Sequence, residues 1–115
     1  MTINIKGREY ALATTLRVAY MVQGMHNHAP YSEVFEKIGA MTVEDQIGIL
    51  YCAFKCANPI DATTITQKIF TDYYFDNFTL KDLLDQLKEL VEGIMGTSEK
   101  TSAPESNEST EATPL

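Results

Sequence analysis

The strongest pattern in the sequence is an apolar repeat close to its C-terminal end. Its members recur at intervals of three and four residues: Leu80, Leu83, Leu84, Leu87, Leu90, Val91 and Ile94. Because an α-helix turns once in 3.6 residues, this spacing gathers them on one continuous face. Thr79 and Asp82 resemble a capping box before the run, and Gly96 closes it. A helix with such a face must pack against other elements, so the sequence indicates a helical domain with a shared core.

A second helix is predicted over residues 42–57, and it is apolar on nearly every side. Thr42 and Asp45 resemble a capping box at its start. Asn58-Pro59 ends it, because proline disfavours the α conformation in the residue before it. A helix that is apolar all round is enclosed by other elements, so we expect this one at the centre of the domain. Gly48 costs it about 1 kcal/mol relative to alanine, which a close helix crossing would justify.

Three further helices are predicted from weaker patterns. The first begins at Thr14 or Thr15 and is stopped by Gly24. Its apolar stripe comprises Leu16, Ala19, Tyr20 and Gln23, broadened by Val18 and Val22. The next follows Ser32 and covers residues 33–38, with three inward side chains, Val34, Phe35 and Ile38. The last begins at Asp61 or Thr63 and runs to about Tyr74, with its inward positions at Ile65, Ile69 and Tyr73.

The N-terminus has the alternation of β-strands. Polar and apolar residues alternate over residues 2–6 and again over 8–12, and Gly7 between them suits a tight turn. A hairpin alone is marginal in water, so it must pack on the helices or extend another sheet. The predicted fold is therefore mainly α, with a short N-terminal β-hairpin on a compact bundle of four to five helices over residues 1–96.

Residues 97–115 differ from the rest, with four Ser, four Thr, four Glu and a single large aliphatic residue, Leu115. This composition predicts a disordered acidic tail, because it buries too little apolar surface to offset the entropy of ordering. The chain carries a net charge of −7, of which −4 lies on residues 1–96. An acidic chain without a basic stripe is a poor ligand for nucleic acid. The sequence also has no apolar run of membrane-spanning length.

No catalytic, cofactor or metal site is predicted. Cys52 and Cys56 lie four residues apart on one helix, which suits a disulfide badly, and we expect two buried thiols. His26 and His28 could ligate a metal only if the fold brought the cysteines to their loop. No nucleophile has an evident base nearby in the sequence, and no glycine-rich phosphate loop is present. We therefore expect a protein that is not an enzyme.

An aromatic cluster is the most suggestive local feature. Four aromatic residues lie within six positions at the end of the fourth predicted helix and in the turn that follows: Tyr73, Tyr74, Phe75 and Phe78. One helix face cannot bury all of them, and aromatic side chains are enriched at binding hot spots. We predict that these four residues bind a partner protein. The alternative is that the turn folds back and places all four in the core.

The pattern Ile3-x-Ile5-x-Gly7-x-x-Tyr10, followed by Leu12 and a short helical domain, resembles the small tail assembly chaperones of long, non-contractile-tailed bacteriophages. The resemblance implies a non-catalytic protein of the host cell cytoplasm. It also implies two protein partners, the tape measure protein and the tail tube protein that assembles around it. A helical client of this kind can be held by an apolar groove between helices. Self-association into a homo-oligomer is a further alternative.

The alternative is a small acidic inhibitor or adaptor that binds a basic surface of a host protein by charge mimicry. It predicts clustered carboxylates and salt-dependent binding. Four carboxylates do line the outer side of the last predicted helix: Asp82, Asp85, Glu89 and Glu92. Lys and Arg are interspersed among the acidic residues of 1–96, however, and this disfavours mimicry.

Overall fold

The computed structural model describes residues 1–96, and the predicted acidic tail lies outside the described residues. Two strands are followed by five α-helices: β1 (Thr2–Ile5), β2 (Arg8–Ala11), α1 (Leu16–Met25), α2 (Tyr31–Glu36), α3 (Val43–Ala57), α4 (Gln67–Asn77) and α5 (Leu80–Met95). Short 3₁₀ turns lie on either side of α3, at Ile38–Ala40 and Asp61–Thr63. The predicted mainly α fold with an N-terminal hairpin is confirmed. Between residues 1 and 96, no helix is long and apolar enough to cross a membrane.

The hairpin forms as its alternation predicts. β1 and β2 pair antiparallel with Ile3 opposite Tyr10, and both side chains are buried. Lys6 and Gly7 form the turn with φ of 56° and 84°. Glycine adopts this left-handed backbone at no steric cost, whereas lysine does not. The Asn58 side chain donates to the Ala11 carbonyl over 2.8 Å, which fixes the hairpin to the C-terminal end of α3.

Helix α3 is the centre of the domain, as predicted. Nine consecutive residues, 46–54, are buried, and the helix contacts α1, α4, α5 and β2. The Phe54 ring lies 5.3–5.7 Å from the rings of Tyr10, Tyr51 and Phe70, which joins the hairpin, α3 and α4 in one aromatic core. The predicted capping box at Thr42 is half formed: the Thr42 hydroxyl accepts from the Asp45 N–H, and the reciprocal bond is missing.

The predicted stripe on α1 is wrong at two positions. Leu16 and Tyr20 are 82% and 64% exposed, whereas Val18 and Val22 are buried with Ala19. The apolar residues of this helix cover more than one face, and α2, α3 and α5 pack on only one of them. Gly24 does not stop the helix, which continues to Met25.

Two other helix boundaries also differ from the prediction. Helix α2 covers Tyr31–Glu36 rather than residues 33–38, because the Pro30 carbonyl accepts the first helical hydrogen bond, from the Val34 N–H over 3.1 Å. Helix α4 begins at Gln67, where the Thr66 hydroxyl accepts from the Ile69 N–H over 3.4 Å. Asp61 and Thr63 lie instead in a 3₁₀ turn. The Tyr51 hydroxyl donates to the Ile65 carbonyl over 2.8 Å and holds this segment outside the helix.

The inward face of α4 is therefore shifted from the predicted one. Phe70, Thr71 and Tyr74 are buried, whereas Ile69 is exposed and Tyr73 is half-buried. The helix also extends beyond its predicted end at about Tyr74 and finishes at Asn77.

Helix α5 has both predicted ends. The Thr79 hydroxyl accepts from the Asp82 N–H, and the Asp82 carboxylate accepts from the Thr79 N–H over 2.9 Å. These bonds hold the pKa of Asp82 below its usual 3.8. Gly96 ends the helix at φ 76°. Only part of the apolar stripe is buried, namely Leu83, Leu87 and Leu90, while Leu80 and Leu84 are 61% and 46% exposed.

Candidate protein-binding surface

The predicted aromatic cluster divides between core and surface. Tyr74 is buried, Tyr73 and Phe78 are half-buried, and Phe75 is 52% exposed. Tyr74 and Phe78 are four residues apart and face the core together, whereas Phe75 is rotated by about 100° around the helix and faces away. The alternative in which all four residues belong to the core is therefore wrong for Phe75. Whether Phe75 binds a partner remains a prediction.

Tyr74 is a core residue with a satisfied hydroxyl. Its ring stacks on Phe78 at a centroid distance of 4.2 Å, and its hydroxyl donates to the Gln86 side chain over 2.9 Å. Burial, with a smaller contribution from the nearby Asp82 carboxylate, raises the pKa of Tyr74 well above its usual 10.0. These contacts fasten the end of α4 to α5.

Tyr73 connects the helices to the hairpin. Its hydroxyl accepts from the Lys6 N–H over 2.9 Å, and its ring lies edge-on to Phe78 at 6.3 Å. Lys6 occupies the strained left-handed position of the hairpin turn, so this bond supports the turn from outside. Tyr73 and Tyr74 therefore have structural partners, and of the four predicted residues Phe75 is the one most available to a partner protein.

Phe75 borders a shallow apolar pocket of about 280 Å³, which we call the aromatic pocket. Val43 at the start of α3 and Leu80 at the start of α5 lie around the same pocket, together with Tyr74 and Phe78. Phe75, Val43 and Leu80 are all exposed large apolar side chains. Because they come from three helices, their clustering is a property of the fold that the sequence alone does not display.

A second apolar depression lies between α2 and α5, and we call it the α2–α5 groove. It has a volume of about 360 Å³ and is lined by Phe35 and Ile38 on one side and by Leu84, Leu87 and Val91 on the other. Leu80 and Leu84 are one turn apart on α5, so the aromatic pocket and the groove adjoin. Together they form one apolar surface along α5.

A third apolar patch lies on α1, around Leu16 and Tyr20, which are one helical turn apart. Arg17 and Gln23 line the same depression. Among residues 1–96, all those that line this depression come from α1.

The residues considered for metal binding do not converge. The His26 ring nitrogen Nδ1 bonds the Val22 carbonyl over 3.0 Å, as a turn-forming side chain does. The sulfur of Cys52 lies 3.1 Å from that of Met25, and burial raises the pKa of this thiol to about 11. Cys56 is half-buried rather than fully buried. No group of three His, Cys, Asp or Glu side chains within residues 1–96 could hold a metal ion.

Burial or ion pairing accounts for the other shifted pKa values, those of Tyr51, Lys68 and Lys81. Burial raises the pKa of Tyr51, whose hydroxyl donates to the Ile65 carbonyl. Lys68 and Lys81 form exposed i, i+4 ion pairs with Asp72 and Asp85, and these hydrogen bonds raise both lysine pKa values.

The sequence prediction missed the groove because it treated the stripe of α5 as one face. The signal was present as two overlapping repeats on that helix. Leu83, Leu87 and Leu90 form the buried one, and Leu80, Leu84, Leu87 and Val91 form the other. A stripe this broad exceeds what one packing contact covers.

Comparison of the chain with known protein families, with curated proteins and with solved structures finds no match.

Proposed function

We propose that this protein is a non-catalytic tail assembly chaperone of a long-tailed bacteriophage, acting in the cytoplasm of the infected host. Its clients are the tape measure protein and, through it, the tail tube protein. The N-terminal pattern that resembles this family supplies the identity of the clients. The apolar surface of the folded domain supports the proposal, because surfaces of this kind bind helical partners.

The observation that carries the proposal is the apolar surface along α5. Phe75, Leu80 and Leu84 leave large apolar side chains in water on adjacent turns and helices. Patches of this kind on a small domain are characteristic of protein-binding sites. A long helical client exposes apolar stripes before it is assembled, and covering them keeps it soluble.

The test is co-expression with the tape measure protein encoded by the same phage. We expect the tape measure protein to stay soluble and to co-purify with this chain. Phe75→Ser should lower the recovered client, because it removes an exposed ring from the surface without touching the core. Ile60→Ser is the matched control, since Ile60 is an exposed apolar residue in the turn after α3, away from α5.

Two outcomes would contradict the proposal. If the tape measure protein aggregates equally with and without this chain, the chaperone function is wrong. If affinity purification from infected cells instead recovers a basic host protein in a salt-sensitive complex, the protein is the acidic inhibitor or adaptor. The spread of the three exposed lysine–carboxylate pairs over α2, α4 and α5 disfavours that alternative.

A further inference from the structure

We infer that the α2–α5 groove binds one α-helix of a partner protein, whose apolar residues repeat every three and four positions and whose flank facing α5 is acidic. This inference rests on the proposed function, because it specifies which surface holds the client and what chemistry the client has.

The apolar residues of α5 that border the aromatic pocket and the groove have the spacing of a coiled-coil seam, with Leu80 and Leu84 exposed, Val91 half-buried and Leu87 buried. Leu80, Leu84, Leu87 and Val91 follow one another at intervals of four, three and four residues. This is the a/d repeat by which one helix packs against another with knobs in holes. Phe35 forms the opposite side of the groove, and the Tyr31 ring packs edge-on against it at 6.1 Å.

Two lysines, Lys81 and Lys88, lie along the same flank of the seam. Lys88 is one turn from both Leu84 and Val91, and Lys81 is adjacent to Leu80, so both lie at the flanking position that selects partners in coiled coils. Lys81 bonds Asp85 over 2.6 Å, whereas Lys88 has no hydrogen bond or ion pair with another residue between 1 and 96. Glu92 also lines the groove, but it lies beyond Lys88 as seen from the seam. An acidic flank on the incoming helix would therefore meet Lys88 first.

The chain itself is a poor occupant of the groove. Residues 97–115 offer one large apolar side chain, Leu115, and so cannot supply a seam. A second copy bound through α5 in the antiparallel direction would place Lys81 and Lys88 of the two copies against each other. In the parallel direction these lysines would meet the positions of Leu83 and Leu90, which are already buried in the core.

The test uses the full chain and two synthetic helical peptides that share a 3–4 leucine repeat. One peptide carries Glu along one flank and Gln along the other, and the second carries Lys in place of Glu. Binding is measured by fluorescence anisotropy. We expect Leu84→Asp to weaken the acidic peptide about tenfold or more, as loss of a central anchor does. Leu16→Asp, at a leucine on α1 that is 82% exposed and lies outside the groove, should leave its affinity unchanged.

The charge rule is tested with Lys88→Glu. This variant should weaken the acidic peptide about threefold and strengthen the basic one by a similar factor. Equal effects on both peptides, or none, would overturn the acidic-flank assignment. Circular dichroism of each variant confirms that the exposed substitutions leave the fold intact.

The groove and the chaperone function can fail separately. If Leu84→Asp still keeps the tape measure protein soluble, the groove inference is wrong and the proposed function stands. If deleting residues 97–115 strengthens the peptide complex about tenfold, the tail occupies the groove and the inference is wrong. If the leucine repeat drives self-association that Leu84→Asp abolishes, the occupant is a second copy.

Discussion

We expect alanine to stabilise the protein at one helical glycine, Gly48 in α3, and to destabilise it at another, Gly93 in α5. A Cβ on Gly48 would lie 2.9 Å from the Met25 methyl and 3.1 Å from the Gln67 amide nitrogen. Both atoms are at the ends of flexible side chains. A Cβ on Gly93 would lie 2.8 Å from Thr14 Cγ2 and 2.9 Å from Thr14 Cβ. The Thr14 Cβ is attached to the backbone, so this neighbour cannot rotate away.

At each position, the balance between helix propensity and steric crowding decides whether alanine stabilises or destabilises the protein. Alanine gains about 1 kcal/mol over glycine inside a helix, and shifting the Met25 and Gln67 side chains removes about half of it. Gly48→Ala should therefore raise the free energy of unfolding by about 0.5 kcal/mol. At Gly93, overpacking against a fixed neighbour costs about 2 kcal/mol, which exceeds the helix gain. Gly93→Ala should lower the free energy of unfolding by about 1 kcal/mol.

Urea unfolding of the full chain, followed by circular dichroism at the helix band, measures both values. Thr14→Ser in the Gly93→Ala background should return part of the loss, because it removes the methyl at 2.8 Å and leaves Cβ at 2.9 Å. If Gly93→Ala proves as stable as the original chain, or Gly48→Ala loses more than about 1 kcal/mol, the reasoning about flexible and fixed neighbours is refuted.

Further predictions concern α4, α5 and the cysteines. Tyr74→Phe removes a part-buried hydrogen bond and should cost about 1 kcal/mol at neutral pH. Because the pKa of Tyr74 is raised above 10.0, its contribution to stability is complete below pH 10 and falls as the pH rises further, so urea melts of Tyr74→Phe should show a weaker alkaline loss. Thr79→Ala should cost about 1 kcal/mol in the same melts by removing the cap of α5. The lowered pKa of Asp82 means that its contribution is lost as the pH falls, and Asp82→Asn should flatten the acid limb of the stability curve. Iodoacetamide should modify Cys56 well before Cys52, whose buried thiol has a pKa of about 11, and peptide mass mapping of the native protein would show the order.

Sequence analysis predicted correctly the elements whose residue pattern is compatible with only one type of secondary structure at one position. The apolar repeat of α5 and the all-round apolar α3 leave no choice of helix or position, and Gly7 fixes the hairpin turn. The start of α4 was different, because Asp61, Thr63 and Thr66 are all residues that cap helices. The Tyr51 hydroxyl, which comes from another helix, selects among them, and no local pattern contains that bond.

The candidate protein-binding surface was also predictable only in part. The cluster of four aromatic residues predicted a binding site that includes Phe75. The pattern could not show that Phe75 is exposed and Tyr74 buried, because the start of α4 depends on contacts with other elements. The α2–α5 groove was hidden for another reason. Leu84 looks like a core residue in the sequence, whereas the fold leaves it 46% exposed beside α2.

The burial of α3 on all sides affects how the protein can be made. Ribosomes complete this helix at residue 57, before α4 and α5, which cover two of its sides, have been synthesised. During that interval Ile47, Leu50 and Phe54 have no C-terminal partners, so the nascent chain exposes an apolar helix. The domain core closes only when α5 arrives. A synthesis arrest between residues 57 and 80 would release a chain with this apolar helix uncovered, which is prone to aggregate.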